Sequence, residues 1–259
     1  MSATMDAVAI AASAPPRAKR VAILQSNYIP WKGSFDLIRS CDEFILFDDM
    51  QYTRRDWRNR NRIKTPRGLC WLTIPVEVKG RYHQCIRDTR ISDPGWARRH
   101  FQTLAHHYAR TPYWQVYRDR LEALYLGCAE THLSRINHRF LAALCDWLGI
   151  TTRITCSTDY TLLDGKTERL VDLCRQAAAT HYRSGPAGRG YVDAAQFDQA
   201  GITLEWMDYA GYPKYPQLHP PFDHHVTVLD LILNVGPEAA AYLDRRPANQ
   251  PAAAAGESA

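Results

Sequence analysis

No stretch of the 259 residues approaches the roughly eighteen uninterrupted apolar residues that a membrane-spanning helix needs, so a soluble chain is expected. The Ala-rich opening carries its cations, Arg17, Lys19 and Arg20, after its apolar stretch rather than before it, the wrong order for a secretory signal. Seven scattered cysteines include no C-x-x-C pair and no short zinc-type spacing to histidine. That pattern argues against a disulfide framework and a structural metal, and reads as reduced thiols in a cytoplasmic protein. A G-x-S-x-G elbow is missing too, and no Cys/His pairing stands out, so no covalent nucleophile is expected. Gly165, Lys166 and Thr167 look like the end of a phosphate-binding loop, but Tyr160 occupies the place of its first glycine.

What is present is ordinary globular material, 46% apolar and 23% charged, arranged in an alternating pattern. Residues 1–18 and 247–259 are rich in Ala, Pro and other small residues and are read as disordered tails. Between them, residues 19–95 form a first α/β half that includes a basic segment. Within it, short apolar runs at Val21 to Leu24 and Phe44 to Phe47 flank a loop and a helix from Gly33 to Ser40. Residues 96–150 recur at three- and four-residue spacing and predict an α-helical insert. Residues 151–246 restart the alternation as a second half, giving an α/β fold of two β-α-β-type halves with mainly parallel strands. In such folds ligands bind at the carboxyl ends of the strands, where Gln25, Ser26, Asn27, Tyr28, Asp48 and Asp49 would lie.

The net charge of +5 is concentrated in one place. Arg54 to Arg67 holds seven cations and one acid, while the other 245 residues carry 25 cations and 26 acids. An extended segment would put Arg58, Arg60, Arg62 and Lys64 on one face and Trp57, Asn59, Asn61 and Ile63 on the other. Guanidinium forks bind phosphate or carboxylate, and an indole offers a stacking face. The competing reading is a solvated basic loop. Asp48 and Asp49 are neighbours on a strand and therefore point to opposite faces; one is a candidate general base, the other a partner for nearby arginines, with a plain salt bridge as the alternative. Ser184, Gly185, Gly188 and Arg189 lie in a glycine-rich turn whose amides could cradle an anion, although its glycine order is not the dinucleotide fingerprint. His225, just ahead of a predicted helix, is a candidate proton-transfer group, whereas His106 and His107 lack metal-ligand spacing.

Taken in order, Gln25, Tyr28 and Pro30, Gly33 before a helix, Asp42-Glu-Phe leading to Asp48 and Asp49, Tyr52, the run Trp57 to Asn61 with Ile63, and Ile74-Pro75 resemble the WbqC-like family. The resemblance continues through Pro112-Tyr113, Leu148 to Ile150, Glu168-Arg169, Ser184 to Tyr191, Phe197, Gly201-Ile202 and Asn234 to Gly236, so that it spans roughly residues 20–245. Ser26 departs from it, standing where the family commonly has proline. The resemblance implies a cytoplasmic enzyme of bacterial polysaccharide or O-antigen biosynthesis, with a glycyl-type aminoacyl transferase as the suggested activity.

On this reading the chain forms an amide on an amino sugar, with an acyl-carrier thioester or another activated acyl donor as cosubstrate and no further cofactor. Asp48, Asp49 and His225 are the candidate acid/base groups. Gln25, Tyr28, Tyr52, Trp57, Arg58, Asn59, Arg60, Asn61, Arg62 and the Ser184, Gly185, Gly188 and Arg189 turn are the candidate substrate contacts. Expected partners are an anionic small molecule, a sugar nucleotide or glycolipid precursor, and an acidic carrier protein. A nucleotide-dependent transferase or ligase is the first alternative. A non-catalytic module for sugar nucleotide or nucleic acid is the second, disfavoured for nucleic acid because only one aromatic lies within the basic run.

Overall fold

The first apolar run forms β1 (Arg20–Leu24), followed by α1 (Lys32–Arg39) and β2 (Glu43–Leu46) in the computed structural model, which describes residues 17–244. The expectations for tails at 1–18 and 247–259 fall almost entirely outside these residues. A hairpin follows, β3 (Arg60–Thr65) and β4 (Gly68–Thr73), paired antiparallel with Arg62 opposite Trp71. The helical insert is three helices: α2 (Trp96–Tyr108), α3 (Trp114–Leu126) and α4 (Leu133–Trp147). Then come β5 (Arg153–Cys156), α5 (Thr167–Gln176), β6 (His181–Ser184), α6 (Ala194–Gln199), β7 (Thr203–Trp206) and α7 (Val228–Val235).

Five of these strands make one parallel sheet in the order β5-β2-β1-β6-β7. The α/β reading with parallel strands holds, and the two halves share that sheet: β5 extends it beside β2, while β6 and β7 extend it beyond β1. In chain order this is the doubly wound arrangement third, second, first, fourth, fifth, and the winding reverses between β1 and β6.

The period of two along the strands sends side chains to two separate cores. Ala22, Phe44 and Leu46 pack with α1, α7 and the helical insert; Val21, Ile23, Ile45 and Phe47 pack with Leu170, Leu173, Tyr182 and Phe197 on the other face. Both faces are covered, which is why β1 and β2 are apolar almost throughout. Helix starts follow local chemistry: the Asp193 carboxylate accepts the Ala195 amide ahead of α6, and the Thr227 hydroxyl accepts that of Leu229 ahead of α7. No helix among the described residues is long and apolar enough to cross a membrane. All seven cysteines are free, and burial pushes the thiols of Cys145 and Cys174 up to about 12, which keeps them protonated and unreactive.

The insert is tied to the sheet by buried polar contacts as well as apolar ones. Asp230 on α7 accepts the Tyr108 and Tyr215 hydroxyls at 2.8 and 2.7 Å, and the Tyr108 oxygen accepts the Lys64 amide at 3.0 Å. His100 on α2 sits between the Tyr28 hydroxyl at Nδ1 (2.9 Å) and the Thr73 carbonyl at Nε2 (3.1 Å). The carbonyl can only accept, so Nε2 carries the hydrogen, Nδ1 accepts from Tyr28, and the ring is neutral.

Burial lowers the pKa of His100 to about 4 from an ordinary value of 6.5. The unfolded chain therefore takes up this proton first as the pH falls, and folding stability declines from about pH 6.5 to about pH 4 by about 3 kcal/mol from this residue. Urea titrations of the wild type and of His100→Gln at pH 7 and pH 4.5 check this. The variant is expected to start less stable and to lose less on acidification.

Candidate functional site

The segment leaving β1, residues 25–31, lies at the carboxyl edge of the sheet and is gripped by side chains from distant elements. The Ser26 amide donates to Asp48 Oδ1 at 2.8 Å, and the Ser134 hydroxyl of α4 donates to the other oxygen. Asp49 faces the opposite way, as a strand neighbour must. It accepts the Ser157 hydroxyl and pairs with Arg87, not with the basic run that precedes the hairpin. Both carboxylates are thus engaged in holding loops, and Asp48 is buried.

The basic segment completes the grip. The Tyr28 amide donates to the Trp57 carbonyl at 3.1 Å, and Asn61 Nδ2 donates to the carbonyls of Tyr28 and Ile29 at 3.1 and 2.9 Å. Arg58 points inward to Asn27 Oδ1 at 2.6 Å, with the Gln25 and Ser26 carbonyls at 3.4 Å. Asn59 Nδ2 donates to the Ile74 carbonyl at 2.8 Å, and Asn137 Nδ2 reaches both the Ser26 hydroxyl and the Arg58 carbonyl at 2.9 Å. Ile29 takes a φ of 37°, a left-handed conformation that a β-branched residue adopts only when its surroundings impose it.

Arg60, Arg62 and Lys64 share one face of β3 as expected, with Asn61 and Ile63 on the other. Trp57 does not join the asparagine face. It precedes the strand in a turn and comes to the arginine side, 5.5 Å from Trp71 between ring centroids. The Arg60 guanidinium lies 4.1 Å above the Trp71 ring, and that of Arg62 lies 5.4 Å from Trp57 and 5.6 Å from Trp71. Both indoles are 42% exposed, and Nε of each arginine is buried without a hydrogen-bond partner. Lys64 is turned inward onto the Pro221 carbonyl.

Beside this face a cavity of about 230 Å³ is lined by Asn27, Pro30, Trp31, Ser34, Trp57, Asn61 and His225. Trp31 forms its wall, with Tyr209 and Tyr212 edge-on at 5.3 and 6.0 Å and the His225 ring stacked at 5.8 Å. The indole folds back over the first turn of α1, and the missing Cβ of Gly33 is what allows it to lie there. His225 is largely exposed, with Nδ1 3.3 Å from Asp223 Oδ1, an oxygen that also accepts the His225 backbone amide at 2.7 Å. Beneath the wall, Lys32 is buried between the Tyr212 and Tyr215 rings and donates to the Pro213 carbonyl at 2.9 Å; burial lowers its pKa to about 8.

Three of the residues singled out from sequence, Trp57, Asn61 and His225, therefore meet in one cavity, with Arg60 and Arg62 at its side. Trp31 and Ser34 were not anticipated, and Asn27 is expected only as part of the loop at the carboxyl edge; their position at the exit of β1, with Trp31 two residues before Gly33, is the signal that points to them. Gln25 lines a different cavity, at the carboxyl ends of β1 and β6. Asp48 lines a third, of about 440 Å³, with His132, Ser134, His138 and Ser157. Tyr28 is a core residue whose hydroxyl meets His100 and Tyr125, and Tyr52 is buried. The Ser184 to Gly190 turn is packed at Ser184 and Gly188, while Pro186, Ala187, Arg189 and Gly190 are exposed. A Cβ on Gly188 would strike the Ser184 hydroxyl and Trp206, Arg189 stacks 4.8 Å over Trp206, and Gly185 lies against Tyr209. None of Ser184, Gly185, Gly188 and Arg189 reaches the Trp31 and Trp57 cavity.

Asn61→Ala removes the donor that holds two carbonyls in a strained turn. A loss of about 1–3 kcal/mol in chemical denaturation is expected, together with faster amide exchange across residues 27–31. Arg67→Ala, an exposed change in the same hairpin, is expected to leave both unchanged.

Comparison with known proteins now places the chain. It is 55% identical over 225 residues, covering 87% of this chain and 97% of the relative, to the uncharacterized protein Rv1507c of Mycobacterium tuberculosis (strain ATCC 25618 / H37Rv). No solved structure is a significant match. The model of the WbqC-like protein family matches residues 25–242, from the exit of β1 to the final 3-10 turn, and the chain belongs to that family.

Proposed function

We propose that this protein is an acyl or aminoacyl transferase that forms an amide on an amino sugar during polysaccharide or glycoconjugate biosynthesis in the cytoplasm. The observation that carries the reading is the cavity between Trp31 and Trp57. Indole faces suit the apolar face of a sugar ring, while Asn27 and Ser34 line the same space with groups that hydrogen-bond hydroxyls and Asn61 holds the loop that carries Asn27. Arg60 and Arg62 stand beside it with fork-shaped donors for the diphosphate of a sugar nucleotide or glycolipid precursor.

The chemistry needs a base and positioned substrates rather than a protein nucleophile. The sugar amine attacks the carbonyl of an activated acyl donor, such as a carrier-bound thioester. A C–N bond forms, the C–S bond breaks, the thiolate leaves, and a proton passes from the amine nitrogen to His225 Nε2. Asp223, 3.3 Å from Nδ1, stabilises the imidazole once it is protonated. In this scheme Asp48 and Asp49 are positioning residues: they hold the loops after β1 and β5 through Ser26, Ser134 and Ser157. The basic hairpin also suits an acidic carrier protein as the donor.

Amide formation between amino-sugar nucleotides and a panel of acyl and aminoacyl thioesters, followed by mass spectrometry, tests the reading. With an accepted pair, His225→Ala is expected to lower kcat by roughly 10²–10⁴-fold with little change in KM. Trp57→Ala is expected to act mainly on KM. Full turnover by His225→Ala would remove the base assignment, and an absence of amide product with every pair would sink the transferase reading.

A further inference from the structure

The cavity at the winding reversal is separate from the one just described. It lies at the carboxyl ends of β1, β2 and β6 beside α5 and encloses about 470 Å³, within the roughly 300–1,000 Å³ of small-molecule sites. Its floor is apolar: Ile23, Leu24, Phe47, Met50 and Leu170, with Tyr182 behind them. Its lip is polar and cationic, formed by Gln25, Lys166, Arg169 and the 56% exposed ring of Tyr191. The Gln25 amide, the Lys166 ammonium and the Tyr191 hydroxyl make no hydrogen bond or ion pair among the described residues, although the rest of this edge is densely bonded. Arg169 is partly spent, on the Leu163 carbonyl and on Asp164 at 3.7 Å, with its guanidinium 5.9 Å from the Phe47 ring.

We propose that this cavity is a nucleoside-phosphate site. An apolar floor with a cationic lip selects a ligand that joins a flat, weakly polar body to an anion. Gln25 can donate and accept at once, which matches the edge of a base and is of no use to an alkyl chain. The phosphate would be met by the side chains of Lys166 and Arg169. The Lys166 amide at the start of α5 already donates to the Glu168 carboxylate, at 3.1 Å, so the helix terminus is not what receives the anion. The same chemistry occurs in a free nucleotide, in the nucleotide end of coenzyme A and in the uridine diphosphate of a sugar nucleotide. This site uses none of the residues assigned to amide formation, and its failure would leave that assignment standing.

Calorimetric titration of the full chain with ATP, coenzyme A, UDP and inorganic pyrophosphate tests the proposal. Saturable binding of at least one of the three nucleoside phosphates, tighter than pyrophosphate, is expected, and the tightest of them identifies the source. Lys166→Glu and Tyr191→Ala, both exposed changes, should each weaken that binding at least tenfold, while Trp57→Ala should leave the binding of ATP and coenzyme A unaltered. The proposal is overturned if none of the three binds up to millimolar concentration or if pyrophosphate binds as well as the nucleotides. It is equally overturned if affinity for ATP or coenzyme A falls in Trp57→Ala and not in Lys166→Glu.

Discussion

The seven residues that leave β1 depend on hydrogen bonds they do not make to one another. Asp48 from the end of β2, Asn61 from β3, Arg58 from the turn before it and Asn137 from α4 each reach the backbone or side chains of residues 25–29, or the chain next to them. A left-handed Ile29 costs about 1–3 kcal/mol and persists only where its surroundings over-determine it. Hydrogen bonds to charged groups contribute about 1.5–3 kcal/mol each, so the grip exceeds the strain it maintains. The result is a fixed wall at the place where a doubly wound sheet binds ligands.

The helical insert follows from the same constraint. Its helices cover one face of the sheet, yet they also bring polar groups to the edge: Ser134 and Asn137 from α4 to Asp48 and Ser26, and His100 from α2 to Tyr28. A loop pinned only from its own sheet would leave these amides and hydroxyls buried and unpaired. The insert and the sheet share one core through Phe35, Phe44, Phe140, Leu141 and Leu233, so the buttress and the floor of the molecule cannot move independently.

The elements were legible in the sequence wherever burial alone decides. Val21 to Leu24 and Phe44 to Phe47 are apolar because both faces of a parallel sheet are covered, and the insert shows its helical period because each helix buries one stripe. The opposite facing of Asp48 and Asp49 and the alternation within β3 follow from strand geometry. Roles that depend on what a polar side chain meets across the fold were not legible. Asn59 and Asn61, candidate substrate contacts from sequence, have their amide nitrogens on backbone carbonyls, and an amide says nothing of such a partner until the chain is folded. Trp57 changes face because it belongs to a turn, where the period of two does not apply. The glycines after Ser184 look like an anion cradle, but Gly188 is there because Trp206 and Ser184 leave no room for a Cβ. Trp31 and His225 stack across almost the whole chain, a pairing no local pattern encodes.

Charge shows most clearly how a sequence feature is reshaped by folding. The run from Arg54 to Arg67 has seven cations, but a basic segment is not a basic surface. Arg54 donates to the Val78 carbonyl, Arg58 to the β1 exit loop, and Lys64 to the Pro221 carbonyl. These contacts fix where the cations point without removing their charge, and they turn Arg58 and Lys64 away from solvent. Arg60 and Arg62 also lie over indole faces, and Arg60 spends one nitrogen on the Arg55 carbonyl, while no hydrogen bond or ion pair to the Arg62 guanidinium is found among the described residues. A guanidinium held in this way loses less freedom when it binds and presents a directional fork. On the proposed function, a compact anion carried on a ring that itself stacks would suit such a fork better than the long, uniformly charged backbone of a nucleic acid, and it would sit next to the Trp31 and Trp57 cavity rather than across the whole basic segment.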